Sequence, residues 1–426
     1  MIGANSLLGT PNLGSGIPAG RCRIFALIRT PYVDLSFRSR AVRMDFVARC
    51  FKAPLRKERR GKIEVEMVLG GVDVWDATTS AEKFPEHLVV MVNGIIGSAD
   101  DWRYAAEQFV KKLPDKVIVH RSECNSSRLT FDGVDLMGER LAEEVLSVVR
   151  RRPGVQKISF VAHSLGGLVA RYAIGRLYVP IPEREASVIS GNYLSEEGSS
   201  YSTQCLEKHQ EGRVAGLDPM NFITFATPHL GSRGHKQLPF LCGLPFLERR
   251  ASQTAHWIVG RTGKHLFLTD NDDGRPPLLL RMVDDCDELK FMSALRSFQR
   301  RVAYANANFD HMVGWRTSSI RRQHELPKHH LLVKDEKYPH IVYVERENSD
   351  KIHNVASSYV EGKTTDLEDA EEMIRGLNQV SWERVDVSFL KSRQRYTAHN
   401  TIQARSYWMN SDGADVVFHM IDNFLI

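Results

Sequence analysis

From about residue 63 onward, short β-rich runs alternate with amphipathic helical stretches, the pattern of a mostly parallel sheet with helices on both faces. The clearest strand is Leu88-Val89-Val90-Met91-Val92. A glycine-containing turn and a helical stretch from about Asp100 to Leu113 follow it. Val117-Ile118-Val119 predicts the next strand, and a helix is expected over 133–151, where Val134, Met137, Leu141, Val145 and Val148 recur at three- and four-residue spacing. Further strands are expected at Lys157–Val161, Phe222–Phe225, Val302–Ala305 and Val385–Phe389. Residues 179–219 and 230–300 read as long irregular insertions, and no internal repeat stands out. The organisation expected is an arm over 1–62 and a single α/β domain over 63–426.

One strand-to-helix junction carries the chemistry. Phe160-Val161-Ala162-His163-Ser164-Leu165-Gly166-Gly167 runs from a buried strand into a helix beginning Leu168-Val169-Ala170-Arg171. A serine exposed on such a sharp turn needs small neighbours, and Gly166 supplies one. Ala162 stands where the usual pattern has a first glycine, a departure of one methyl group. The junction puts the Ser164 hydroxyl at a helix N-terminus, where backbone N–H groups face a developing oxyanion. This is the context in which the nucleophile elbow of an α/β-hydrolase fold is expected.

A serine hydroxyl becomes nucleophilic when a base takes its proton and a carboxylate orients that base. In this fold the acid and then the base follow the serine, each just past a strand end. Asp310, the first carboxylate after the strand Val302–Ala305, is the favoured acid; Asp284, Asp285 and Asp287 precede that strand and read as surface or capping residues. His399 is the only histidine in the loop Lys391–Asn400 after the strand Val385–Phe389, and is the favoured base. His419 falls on the packed helix marked by Val416, Val417, Met420, Ile421 and Phe424, and His229 precedes Asp310, the wrong order. The oxyanion donors expected are the backbone N–H groups of Leu165 and of Ile95, in the turn Asn93-Gly94-Ile95-Ile96-Gly97. Asp132 is expected to cap the helix over 133–151. Phe240, Leu241, Leu244, Phe246 and Leu247 read as an acyl pocket or lid, or equally as core of the insertion.

Composition narrows the setting. Residues 1–62 carry 13 lysines and arginines against 3 acidic residues, an excess of +10 within a chain of net +5, so the remainder carries −5. A nucleic-acid partner for the body is therefore not expected. The acid-free stretch 1–33 suits an organellar transit peptide or an unstructured extension. The first places the protein in a plastid or mitochondrion, the second in the cytoplasm. Arg56-Lys57-Glu58-Arg59-Arg60 reads as a solvated charge cluster or a contact with anionic lipid. No eighteen apolar residues run without a charge, so no transmembrane helix is expected, while contact at a membrane surface stays open. Six cysteines (Cys22, Cys50, Cys124, Cys205, Cys242 and Cys286) form no CxxC pair and read as reduced intracellular thiols.

Six segments together resemble the DUF676 serine esterase family of the α/β-hydrolase superfamily, specifically its plant-type lipases and their yeast relatives. They are Val92–Ser98, Phe131–Arg140, Ala162–Gly167, Thr227–Ser232, Asp310–Val313 and Ala398–Asn400. The similarity spans roughly 85–426 and leaves the basic arm unexplained. Asn93 departs from the histidine that many lipases carry before the turn glycine. The resemblance implies a Ser-His-Asp triad, no cofactor and lipid acyl-ester substrates. Acyl transfer or thioester cleavage by the same chemistry, and a silent fold used for binding, are the competing readings.

Overall fold

The computed structural model describes residues 57–60, 63–68, 70–76, 85–181, 212–232, 260–271, 274–346 and 365–426. The 1–33 stretch, the five insertion residues from Phe240 to Leu247, and Cys22, Cys50, Cys205 and Cys242 lie outside them. In chain order the strands are β1 (Lys57–Arg60), β2 (Ile63–Val68), β3 (Gly71–Asp76), β4 (His87–Val92), β5 (Val117–Ser122), β6 (Lys157–His163), β7 (Tyr178–Pro180), β8 (Gly212–Val214), β9 (Asp218–Phe225), β10 (Arg300–Asn306), β11 (Ile341–Arg346) and β12 (Glu383–Val387). Ten form one sheet in the order β1-β2-β3-β5-β4-β6-β9-β10-β12-β11, and β7 pairs with β8 in a separate ribbon. From β5 to β12 all neighbours are parallel, and the strands outside them are antiparallel. This is the α/β-hydrolase arrangement.

The apolar run of β4 shows why such strands look continuous in sequence. Leu88, Val90 and Val92 enter one core layer, whereas Val89 and Met91 enter the other. Both faces are buried, as a parallel sheet covered by crossover helices requires. Helix α1 (Arg103–Lys112) packs Phe109 and Val110 into the second layer together with the C-terminal helix Ala414–Asp422. Helices α2 (Val134–Arg151) and α3 (Leu165–Leu177) pack against the first layer.

β4 and β6 are neighbours, yet the helices that follow them, α1 and α3, lie on opposite faces. Their connecting loops therefore diverge beyond the carboxyl ends of the strands, the usual ligand position in open α/β sheets. Ser164 lies at this switch point, directly after β6.

The described residues correct several expectations. Lys57–Arg60 pairs antiparallel with β2, so four residues placed in the 1–62 arm belong to the sheet. Their uniform charge suits an edge strand, where it discourages pairing with another chain. The stretches over 179–219 and 230–300 are less irregular than their composition suggests. They include the β7–β8 ribbon, the first residues of β9, a helical run at 260–266 and the helix Phe291–Ser297. Asp132 pairs with Arg140 at 2.6 Å instead of capping α2. Gly133, at φ 100°, occupies the cap position, and His265 Nδ1 accepts the Val134 N–H at 2.9 Å. Among the described residues no helix is long and apolar enough to cross a membrane, and Cys124 and Cys286 are free thiols.

Candidate active site

Ser164 follows β6 with φ 54° and ψ −128°, a conformation that L-residues rarely adopt and that surrounding structure must enforce. Its N–H donates to the Phe225 carbonyl at 2.8 Å, and its own carbonyl accepts from the Gly167 N–H at 3.1 Å. The turn tolerates no bulk on its glycine side. A Cβ on Gly166 would stand 2.5 Å from the Asn93 carbonyl oxygen, and one on Gly167 would collide with Thr227. Ala162 is fully buried among the first-layer residues, so its methyl group is accommodated.

The structure brings the three residues singled out for the chemistry into one hydrogen-bonded chain. Ser164 Oγ lies 2.9 Å from His399 Nε2, and His399 Nδ1 lies 3.0 Å from Asp310 Oδ2. Asp310 also accepts from Asn306 Nδ2 at 2.9 Å, and from the Met312 and Val313 N–H groups at 2.9 Å each. Burial alone would raise the Asp310 pKa, but His399 and these donors outweigh it and hold the carboxyl below its usual range. An ionised Asp310 can only accept, so His399 Nδ1 donates to it. With Nδ1 as donor, Nε2 is the nitrogen that faces the serine hydroxyl.

Leu165 opens α3, so its N–H has no partner within the helix and lies next to the nucleophile. A Cβ on Gly94 would come within 2.9 Å of Ser164 Cβ, which sets the Gly94–Ile95 peptide against the nucleophile. In that turn Thr130 Oγ1 accepts the Ile96 N–H at 3.0 Å and the Gly94 carbonyl accepts the Gly97 N–H at 3.1 Å. Ile95 is thereby left as the candidate second oxyanion donor. Asn93 fixes the turn through Nδ2, which donates to the Gly94 and Asn125 carbonyls at 3.0 Å each.

The rival residues are committed elsewhere. His419 Nδ1 pairs with Tyr304 Oη at 2.8 Å, and its ring packs edge-on against Tyr338. His229 is buried against Trp382 with Nε2 3.0 Å from Thr224 Oγ1, and burial keeps its ring neutral. Asp285 caps the helix Phe291–Ser297 by accepting the Met292 and Ser293 N–H groups at 2.8 and 3.1 Å. Two contributors went unnoticed in the sequence. His163 Nε2 donates to the His399 carbonyl at 2.7 Å, and Asn306 bonds both Asp310 and, at 3.3 Å, the Ala398 carbonyl. His163 stands beside the serine and Asn306 at a strand end, but neither spacing reveals a partner nearly a hundred or more residues away.

Among curated proteins, the chain is 29% identical over 257 residues to "Putative lipase ROG1" of Saccharomyces cerevisiae, covering 58% of this chain and 31% of that protein. It is 28% identical over 243 residues to "Putative lipase C4A8.10" of Schizosaccharomyces pombe, covering 55% and 26%. The match thus spans about a third or less of the length of these relatives. Among solved structures, a thermophilic esterase of Thermogutta terrifontis aligns over 87% of this chain and 93% of its own at 13% identity and a TM-score of 0.34. The Bacillus licheniformis lipase BlEst2 aligns over 54% and 68% at 16% identity and a TM-score of 0.29. The family described as "Putative serine esterase (DUF676)" matches residues 82–320, more than half of the sequence, and the chain belongs to that family.

Proposed function

We propose that the chain hydrolyses carboxylic acyl esters, with lipid esters as the substrate class, through an acyl-enzyme on Ser164. Ser164 Oγ attacks the ester carbonyl carbon while His399 Nε2 takes its proton, and the negative charge forming on the carbonyl oxygen is met by the Leu165 and Ile95 N–H groups. Asp310 matches the charge of the imidazolium, which then delivers the proton to the leaving alcohol oxygen as the C–O bond breaks. Water repeats the sequence on the acyl-enzyme, with His399 again removing and returning a proton, and releases the acid.

The observation that carries this reading is the alignment of Ser164 Oγ, His399 Nε2 and Asp310 Oδ2 at 2.9 and 3.0 Å beside a helix N-terminus. The chemistry calls for no metal or cofactor. An alcohol or thiol in place of water would make the same intermediate an acyl donor, which product analysis with competing acceptors separates. Ser164→Ala is expected to lower kcat/KM for p-nitrophenyl butyrate by about 10,000-fold without loss of fold. A variant as active as the wild type overturns the reading.

A further inference from the structure

Exposed apolar side chains gather on segments next to those that carry Ser164 and His399. Tyr407, Trp408 and Met409 are consecutive and 52%, 81% and 50% exposed. Single exposed apolar residues are ordinary, but a Tyr-Trp-Met run laid open to solvent marks an interaction surface. Its position follows from hydrogen bonds. Asn410 Nδ2 donates to Thr401 Oγ1 at 2.9 Å, which ties the short helix Tyr407–Asn410 to the turn Ala398–Thr401 that carries His399. Tyr407 stacks on Tyr104, at the start of α1, with ring centroids 4.5 Å apart. On neighbouring loops, Tyr396 is 66% exposed three residues before His399, and Ile96 is 61% exposed in the turn packed against Ser164.

The charged residues of the loop between β12 and His399 are all basic. Lys391 and Arg393 are exposed in the loop that leads from β12 to His399. Arg395, in the same loop, lies over the Tyr396 and Phe309 rings at 4.7 and 5.6 Å. Tryptophan and tyrosine favour the boundary between hydrocarbon and water, and lysine and arginine beside them are drawn to anionic headgroups. A surface of this chemistry on the segments beside Ser164 and His399 fits a lipid bilayer, from which an acyl ester reaches Ser164 without crossing water.

We propose that the rim formed by Ile96, Tyr396 and Tyr407–Met409, with Lys391 and Arg393, docks the protein onto anionic membrane surfaces. The proposal rests on the reading of Ser164 and its partners as an ester-hydrolysing site and names where its substrate is met. Sedimentation with vesicles tests it, using the full chain with phosphatidylcholine alone and with added phosphatidylserine. The wild type is expected to bind, and more tightly where phosphatidylserine is present. Trp408→Ser combined with Met409→Ser is expected to weaken binding to both compositions about tenfold, through lost apolar insertion. Lys391→Glu combined with Arg393→Glu is expected to weaken binding about tenfold on phosphatidylserine vesicles only.

Both variants are expected to hydrolyse soluble p-nitrophenyl butyrate at the wild-type rate. Absence of vesicle binding by the wild type, or variants that bind as it does, overturns the docking surface. A wild-type dimer in light scattering that becomes monomeric with Trp408→Ser and Met409→Ser assigns the rim to a second copy and overturns it too. Retained butyrate hydrolysis in either case leaves the esterase reading standing. Vesicle binding without wild-type hydrolysis of any ester has the reverse meaning.

Discussion

The imidazole of His163 donates from Nε2 to the backbone carbonyl of His399 at 2.7 Å, and the two rings lie 4.7 Å apart. A carbonyl oxygen only accepts, so His163 carries its proton on Nε2, and burial keeps the ring neutral. The residue before the nucleophile thus holds the turn that presents the base. A Cβ on Gly94 would reach within 3.2 Å of His163 Nδ1, so the same ring also borders the candidate oxyanion turn.

His163→Leu removes that donor and leaves the His399 carbonyl unpaired. The expected result is a kcat lowered by about 10- to 100-fold with KM little changed, since orientation of the base matters chiefly in the transition state. His163→Asn or His163→Gln, which can donate from an amide, is expected to recover part of the loss. A loss shared equally by kcat and thermal stability, without recovery by the amides, would assign His163 a packing role only. Steady-state kinetics alongside thermal melts separate the two.

Asp310→Asn keeps an acceptor for the Met312 and Val313 N–H groups, so the loop is expected to keep its shape. The charge disappears, however, and an amide N–H facing His399 Nδ1 favours the wrong tautomer. The expectation is a fall in kcat of about 1,000- to 10,000-fold with an unchanged melting temperature. Activity within tenfold of wild type would show that the carboxylate does not serve the base.

A second buried histidine predicts a pH dependence of stability. His120 Nδ1 lies 2.6 Å from Asp73 Oδ1 and its Nε2 3.0 Å from Glu144 Oε1, so both ring nitrogens face carboxylates. Burial alone would lower its pKa, but the bonds and charges of Asp73 and Glu144 outweigh it and raise the value to about 9. A raised folded-state value contributes stability fully below the unfolded value of about 6.5 and loses it as pH rises through about 9. The wild-type urea midpoint is therefore expected to fall between pH 6.5 and 9.5, by up to about 3 kcal/mol in stability. His120→Gln is expected to be less stable near neutrality and to show a flatter profile there. Parallel profiles for the two proteins would contradict the assignment.

The six parallel strands and the three residues of the hydrogen-bonded chain were legible because each residue follows an apolar strand, and burial on both faces writes itself as an unbroken apolar run. Ser164, Asp310 and His399 could be ordered along the chain for the same reason. The antiparallel strands β2 and β3 carry no such run and, like β11, went unread. β1 escaped notice because an edge strand selects charge instead of apolarity, and Lys57–Arg60 is charged throughout. The Asp132–Arg140 pair and the His265 cap on α2 were hidden differently. A side chain chooses between a cap and an ion pair by which partner the fold brings close, and His265 arrives from 131 residues away. The bond from His163 spans 236 residues and ends on a backbone atom, so no pattern of side chains could encode it.

Whether Ser164 is a nucleophile activated by His399 is read out by labelling with a fluorophosphonate. The folded wild-type chain is incubated with the reagent, digested, and the modified residue located by peptide mass. One phosphonylated site, Ser164, is expected, with labelling abolished in Ser164→Ala and strongly slowed in His399→Ala. Label on another residue, or none on folded protein, would contradict that role for Ser164.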